Sequence, residues 1–156
     1  MTYHGPERDH PVRIYRVGYG PQTVSEGEVS VSEVTPDAAP EDSVTWFDFD
    51  GVHEPGLVSG VATRFGLDSL ASEDIVSMGQ RPKAVDTEGA LYVTLRALTV
   101  PPGESELRGE QVSLVLQEGS LLSFQEQPGN RFDSVRKRIR GGKGRIRGAG
   151  ADYLLY

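Results

Sequence analysis

Residues Glu110–Tyr156 read EQVSLVLQEGSLLSFQEQPGNRFDSVRKRIRGGKGRIRGAGADYLLY, a run that passes from strand to helix periodicity. Val112, Leu114 and Leu116 fall two apart and line one face of a strand spanning Glu110 to Gln117. Gln117-Glu118-Gly119-Ser120 is a hairpin turn, and Leu121 to Gln125 is the strand that returns from it. The period then changes: Phe132, Val135 and Ile139 share one face of a helix over Phe132 to Ile139. A Gly-rich connector, Gly141-Gly142-Lys143-Gly144, leads to a further helix from Ala149 onward. Antiparallel strands followed by an amphipathic helix indicate an α/β layered domain. The final run Tyr153-Leu154-Leu155-Tyr156 is of the kind that opens a helix, so we expect a piece of a longer protein, starting at or near Met1 and cut after Tyr156.

Upstream, the same layering continues. Met1 to His10 is polar. Val12–Val17 and Val24–Glu33 read as strands joined at Gly20-Pro21, with Val29 and Val31 alternating with Ser30 and Ser32. Thr35 to Ser43 is an Asp/Pro/Ala loop. Val44-Thr45-Trp46-Phe47-Asp48-Phe49 is a strand with apolar residues on both faces at its centre, as expected for a strand covered on both sides. After Asp50-Gly51 a helix opens near Pro55, carries Leu57, Val58, Val61, Ala62 and Phe65 on one face, and ends at Gly66. Asp68 caps a second helix running to about Ser77, and Gly79-Gln80-Arg81-Pro82 breaks it. Strands follow at Lys83–Asp86 and Leu91–Val100, joined by a turn at Thr87-Glu88-Gly89. The expected architecture is one domain over residues 1–156, a mixed parallel and antiparallel sheet sandwiched between helices, with Trp46, Val93, Leu114 and Phe124 on its strands.

Composition bounds the function. The 156 residues suffice to bury roughly 70% of the unfolded surface. There is no cysteine, which removes disulfides, thiolate catalysis and any Cys-based zinc or iron–sulfur centre. No stretch approaches the ~20 apolar residues of a membrane span, and the N-terminus lacks the apolar core of a signal peptide. The net charge of −7 is unevenly distributed. From Arg131 to Arg147, eight basic residues face Asp133 alone, a net charge of +7 that leaves −14 on the rest. A basic segment on an acidic body suits either a nucleic-acid-binding α/β domain using Arg131–Arg147, or an amphipathic helix pairing with its own acidic neighbours. Phe132 is the only ring interleaved with the charges, which favours the second.

Catalytic motifs are absent. His4, His10 and His53 show no metal-ligand spacing. There is no Gly-x-Ser-x-Gly elbow, so a hydrolase would have to be built around His53 as the one candidate base. Gly141-Gly142-Lys143-Gly144 lacks the order of a phosphate-binding loop. We therefore expect no enzyme. The carboxylate pair Glu73-Asp74 is the most informative polar feature. Leu67, Leu70, Ala71, Ile75 and Met78 form a stripe on the second helix; Asp74 falls inside that stripe and Glu73 off it. A carboxylate among apolar residues needs a partner. Arg81 or Lys83 just beyond the helix offers a salt bridge; a hard cation such as Mg²⁺ offers the other solution.

A series of short blocks occurs in order: Ser72-Glu73-Asp74-Ile75, Gln80-Arg81-Pro82-Lys83, Glu110-Gln111-Val112-Ser113-Leu114, Phe124-Gln125-Glu126, Phe132 to Arg140, and Ala151-Asp152-Tyr153-Leu154-Leu155-Tyr156. Together, with Trp46, Asp50-Gly51 and His53 upstream, they resemble the cytoplasmic N-terminal domain of the CorA family of magnesium channels. The resemblance runs from about Val44 to the end and favours the magnesium over the zinc-transporting branch. It implies a domain at the cytoplasmic face of the cell membrane, reaching the membrane only through a downstream long helix and two spans. It implies a homopentamer, neighbouring subunits as partners, divalent cations as ligands and no nucleic acid. It further implies that Glu73 and Asp74 supply half of intersubunit Mg²⁺-sensing sites that gate the pore, the facing carboxylates coming from beyond Tyr156. Preference among Mg²⁺, Co²⁺, Ni²⁺ and Zn²⁺ would be set in the pore.

Overall fold

The computed structural model describes residues 1–36, 40 and 43–156. The strands are β1 (Arg13–Tyr19), β2 (Val24–Val29), β3 (Val44–Asp50), β4 (Lys83–Thr87), β5 (Ala90–Thr99), β6 (Arg108–Gln117) and β7 (Ser120–Gln125). The helices are α1 (Pro55–Arg64), α2 (Ser69–Val76), α3 (Asp133–Gly141) and the short α4 (Ala151–Leu155). The strands form one sheet in the order β2-β1-β3-β7-β6-β5-β4. All neighbours are antiparallel except β3 and β7, which run parallel with Trp46 beside Leu121 and Phe49 beside Phe124.

Alternation along the strands divides the core in two. Phe47, Phe49, Val115, Leu122 and Phe124 point to one face, where Val58 and Val61 from α1, Phe65 just after it, and Ile75 and Val76 from α2 cover them. Val44, Trp46, Val112, Leu114 and Leu121 point to the other, beneath Ile139 of α3, Ile146 and Ala151. The expected layers of helix, sheet and helix are thus present, and Trp46, Val93, Leu114 and Phe124 lie on strands. Burial of β3 on both faces follows from its place inside the sheet, with α1 and α2 over one face and α3 over the other. The β6–β7 turn closes with Gly119 at φ +71°, a conformation that glycine adopts without the Cβ clash of other residues.

Three local expectations are corrected. The second strand stops at Val29, because Ser30 opens a 3₁₀ turn over Val31–Glu33. Glu33 Oε2 accepts from both the backbone N–H and the hydroxyl of Ser30, each at 2.8 Å, so a local capping box overrides the Val/Ser alternation. On α2 the buried face is rotated from the expected stripe: Ile75 and Val76 are enclosed, whereas Leu70 is 65% exposed. The third helix runs to Gly141 and ends on Gly142 at φ +61°, beyond the expected Ile139. The expected loop at Thr35–Ser43 falls largely outside the described residues.

Candidate cation-binding site

The Asp68 side chain accepts from the Ala71 N–H at 2.7 Å and fixes the start of α2, which sets the rotation of every later residue on that helix. Asp74 comes onto the buried side with Ser72 and Ile75, and Glu73, about 100° round the helix, points to solvent. Past Ser77 the chain turns at Gly79 (φ +85°) and enters β4, the edge strand. This brings Lys83 against Asp74, and its ammonium donates to Asp74 Oδ2. The Asp74 side chain retains 11% of its accessible surface and that of Lys83 retains 35%, so the pair sits at the rim of the molecule. Of the two cationic partners considered for Asp74, the helix end delivers Lys83 rather than Arg81.

The surroundings hold this arrangement. Gln111 on β6 donates Nε2–H to the Asp74 carbonyl at 2.9 Å, and its Oε1 accepts from the Gln80 N–H at 3.0 Å. Gln111 therefore ties the end of α2 to the sheet. The one sign of this role in the sequence is weak: a glutamine at the start of an apolar strand. Beneath Lys83 lies the ring of Tyr92, 6.0 Å from the ammonium, and the Tyr92 hydroxyl accepts from Thr94 at 2.6 Å. The hydrogen bond and charge of Asp74 push the Lys83 ammonium above its ordinary value, and burial does the same to the Tyr92 phenol. Leu67, Leu70, Val85 and Tyr92 wall a cavity of about 40 Å³ beside the pair, about enough for one water. Among the described residues no three His, Asp or Glu side chains converge as a metal cage.

A second polar centre, absent from the sequence reading, lies under α3. Asp48 of β3 is enclosed and forms an ion pair with Arg136. It also accepts from Ser123 Oγ at 2.5 Å and from Gln125 Nε2 at 3.0 Å. The Arg136 guanidinium lies between the rings of Tyr15 and Trp46, 5.0 and 5.1 Å from their centres. Burial pushes the Asp48 carboxyl up to about 6, against the pull of Ser123 and Arg136. This centre fixes α3 to the sheet.

The remaining candidates resolve in the same way. His53 Nε2 donates to the His10 carbonyl at 2.7 Å, tying the N-terminal segment down, and no hydroxyl nucleophile is bonded to it among the described residues. In the basic segment Arg131 pairs with Glu110, Arg136 with Asp48 and Asp133, and Arg140 with Glu26. Arg138 donates to the Tyr153 hydroxyl and Arg147 to the Gly20 carbonyl. Three of the eight basic side chains, Arg131, Arg136 and Arg140, are thus paired with carboxylates of the chain itself.

Residues 41–155 match the model of the CorA-like Mg²⁺ transporter protein family. The chain belongs to that family. The cobalt/magnesium transport protein CorA of Thermotoga maritima is 43% identical over 112 residues, covering 72% of this chain and 32% of that protein. The chain therefore spans about a third of the length of this curated relative. Among solved structures, full-length CmaX superposes with a TM-score of 0.66 at 20% identity, covering 90% of this chain and 42% of that one. The soluble domain of CorA from Methanocaldococcus jannaschii gives 0.61 at 14% identity over 90% and 52%. The ZntB cytoplasmic domain from Vibrio parahaemolyticus gives 0.57 at 13% over 82% and 50%. At these identities the structures share the fold. No helix among the described residues is long and apolar enough to cross a membrane.

Proposed function

We propose that this CorA-like chain is the regulatory domain of a divalent-cation channel, working at the cytoplasmic face beside a membrane-embedded pore. In this reading Glu73 and Asp74 supply one half of a Mg²⁺-sensing site, and a neighbouring subunit of a homopentamer supplies the other. The observation that carries it is the end of α2, where one carboxylate faces solvent and the next already holds a cation, the Lys83 ammonium. Carboxylate oxygens are the hard donors that Mg²⁺ takes while keeping several waters, and two of them make part of a shell rather than a full one.

Mg²⁺, when bound, supplies the positive charge that turns repulsion between facing carboxylates into attraction. Asp74 contributes a donor held in place by α2 and Gln111. Glu73 contributes an exposed, solvated one. Without the ion, two carboxylates about 4 Å apart across an interface repel by roughly 1 kcal/mol in bulk water and about 4 kcal/mol at an effective dielectric of 20. Repulsion of that size, repeated around a ring, separates two states of an assembly if the sites bind the ion better in one of them.

Titration calorimetry with sedimentation, in millimolar Mg²⁺ and without it, tests this. Weak binding that Asp74→Ala removes supports the reading. Tight binding by a monomer, unaffected by Asp74→Ala, places the metal elsewhere and overturns it.

A further inference from the structure

We propose that Lys83 is a tethered competitor for the divalent cation: its ammonium neutralises Asp74 when the ion is absent and is displaced when the ion binds. The inference rests on the reading of Glu73 and Asp74 as cation ligands. It begins from burial. With 11% of its side chain exposed, Asp74 is too enclosed to remain an unpaired carboxylate at low cost. As a carboxylate it is therefore best held by a cation, and in this structure Lys83 provides it.

The two partners are unequally held. Asp74 lies on a capped helix whose end Gln111 ties to the sheet. Lys83 lies at the start of the edge strand β4 and keeps 35% of its side chain exposed, so its flexible stem can swing the ammonium into water. Asp68, Asp74 and Tyr92 are the groups that face the ammonium; Asp68 would keep it near the site after displacement. A charge tethered this closely acts at a local concentration on the order of millimolar. A divalent ion must outcompete it, which moves half-saturation of the sensor towards millimolar concentrations. The same exchange gives the site a mechanical output, because release of Lys83 unfastens the edge strand from α2.

The test is Mg²⁺ titration of the 156-residue chain, followed by calorimetry and thermal unfolding, for the wild type, Lys83→Gln, Lys83→Arg and Asp74→Asn. Lys83→Gln is expected to unfold at lower temperature without Mg²⁺, to regain stability as Mg²⁺ is added, and to bind at least about fivefold more tightly than wild type. Lys83→Arg keeps the competing charge and is expected to stay near the wild-type affinity. Equal affinities for Lys83→Gln and wild type, with binding lost in Asp74→Asn, overturn the role of Lys83 and leave the carboxylate site standing. Undiminished binding by Asp74→Asn overturns the site itself.

If Lys83→Gln does not fold, side-chain NMR of the wild type decides. The Lys83 Nζ signal is expected to move towards that of solvated lysines in step with the α2 amides as Mg²⁺ is added. A Lys83 signal that stays fixed while α2 saturates overturns the proposal. No response from either at tens of millimolar Mg²⁺ overturns both readings.

Discussion

Asp48 is flanked in sequence by Phe47 and Phe49 and is as enclosed as they are, yet only the aromatic neighbours drew the reading of this strand. A lone carboxylate in an apolar strand is a legible oddity. Its partner Arg136 stands 88 positions away in a run of similar basic residues, so their pairing was not legible. Burial raises the Asp48 carboxyl from 3.8 to about 6. A carboxyl with a raised folded value favours the fold most below its unfolded value, and this contribution disappears as pH rises through about 6. Arg136 offsets that loss at neutral pH. Arg136→Met is therefore expected to cost about 3 kcal/mol at pH 7, by leaving an uncompensated buried carboxylate. The deficit should shrink at pH 5, where Asp48 takes up a proton. Urea unfolding at the two pH values checks this; an equal deficit at both would show that Asp48 does not titrate in this range.

At the scale of elements, local signals were read and distant ones were not. The β4–β5 and β6–β7 hairpins carry their own turns, Thr87-Glu88-Gly89 and Gln117 to Ser120, and both form where the sequence puts them. The parallel pairing of β3 with β7 has no turn to announce it, since some 70 residues separate the partners. Only the two-sided apolar character of β3 hinted at it. The strand at Val24 was cut short because Glu33 reaches back to Ser30, an interaction visible as Ser-x-x-Glu but outweighed by the alternating valines. The central pairing predicts where stability is concentrated. Phe49 and Phe124 stack across it, ring centres 4.4 Å apart and planes within 17°. Phe49→Ala is expected to cost about 3–5 kcal/mol in urea unfolding, whereas Leu70→Ala, on the exposed face of α2, should change stability by less than about 0.5 kcal/mol.

For the whole molecule, charge separation is the feature that two functions contested. Within the basic run from Arg131 to Arg147, Arg131, Arg136 and Arg140 are met by Glu110, Asp48, Asp133 and Glu26, which come from β6, β3, α3 and β2. No alternation or spacing announces contacts between such distant segments. Lys137, Lys143 and Arg145 are exposed and make no ion pair among the described residues, so replacing all three by glutamine should leave the fold intact within about 0.5 kcal/mol. Circular dichroism and urea unfolding check that expectation.

The candidate site was legible to a different degree. The acidic pair, the place of Asp74 among the apolar residues of α2 and its alternative partner Lys83 were read from the sequence; the exposure of Leu70 and the hold of Gln111 on the helix end were not. On the proposed function, the end of α2 is where a divalent cation meets this domain. Residue-resolved NMR of the 156-residue chain during Mg²⁺ titration tests it most directly. Progressive shifts are expected, centred on the amides of Glu73, Asp74 and Lys83 and lost in Asp74→Ala. Shifts centred on Asp48 and Asp50 or on Glu110 and Glu126, with α2 unmoved, would contradict it.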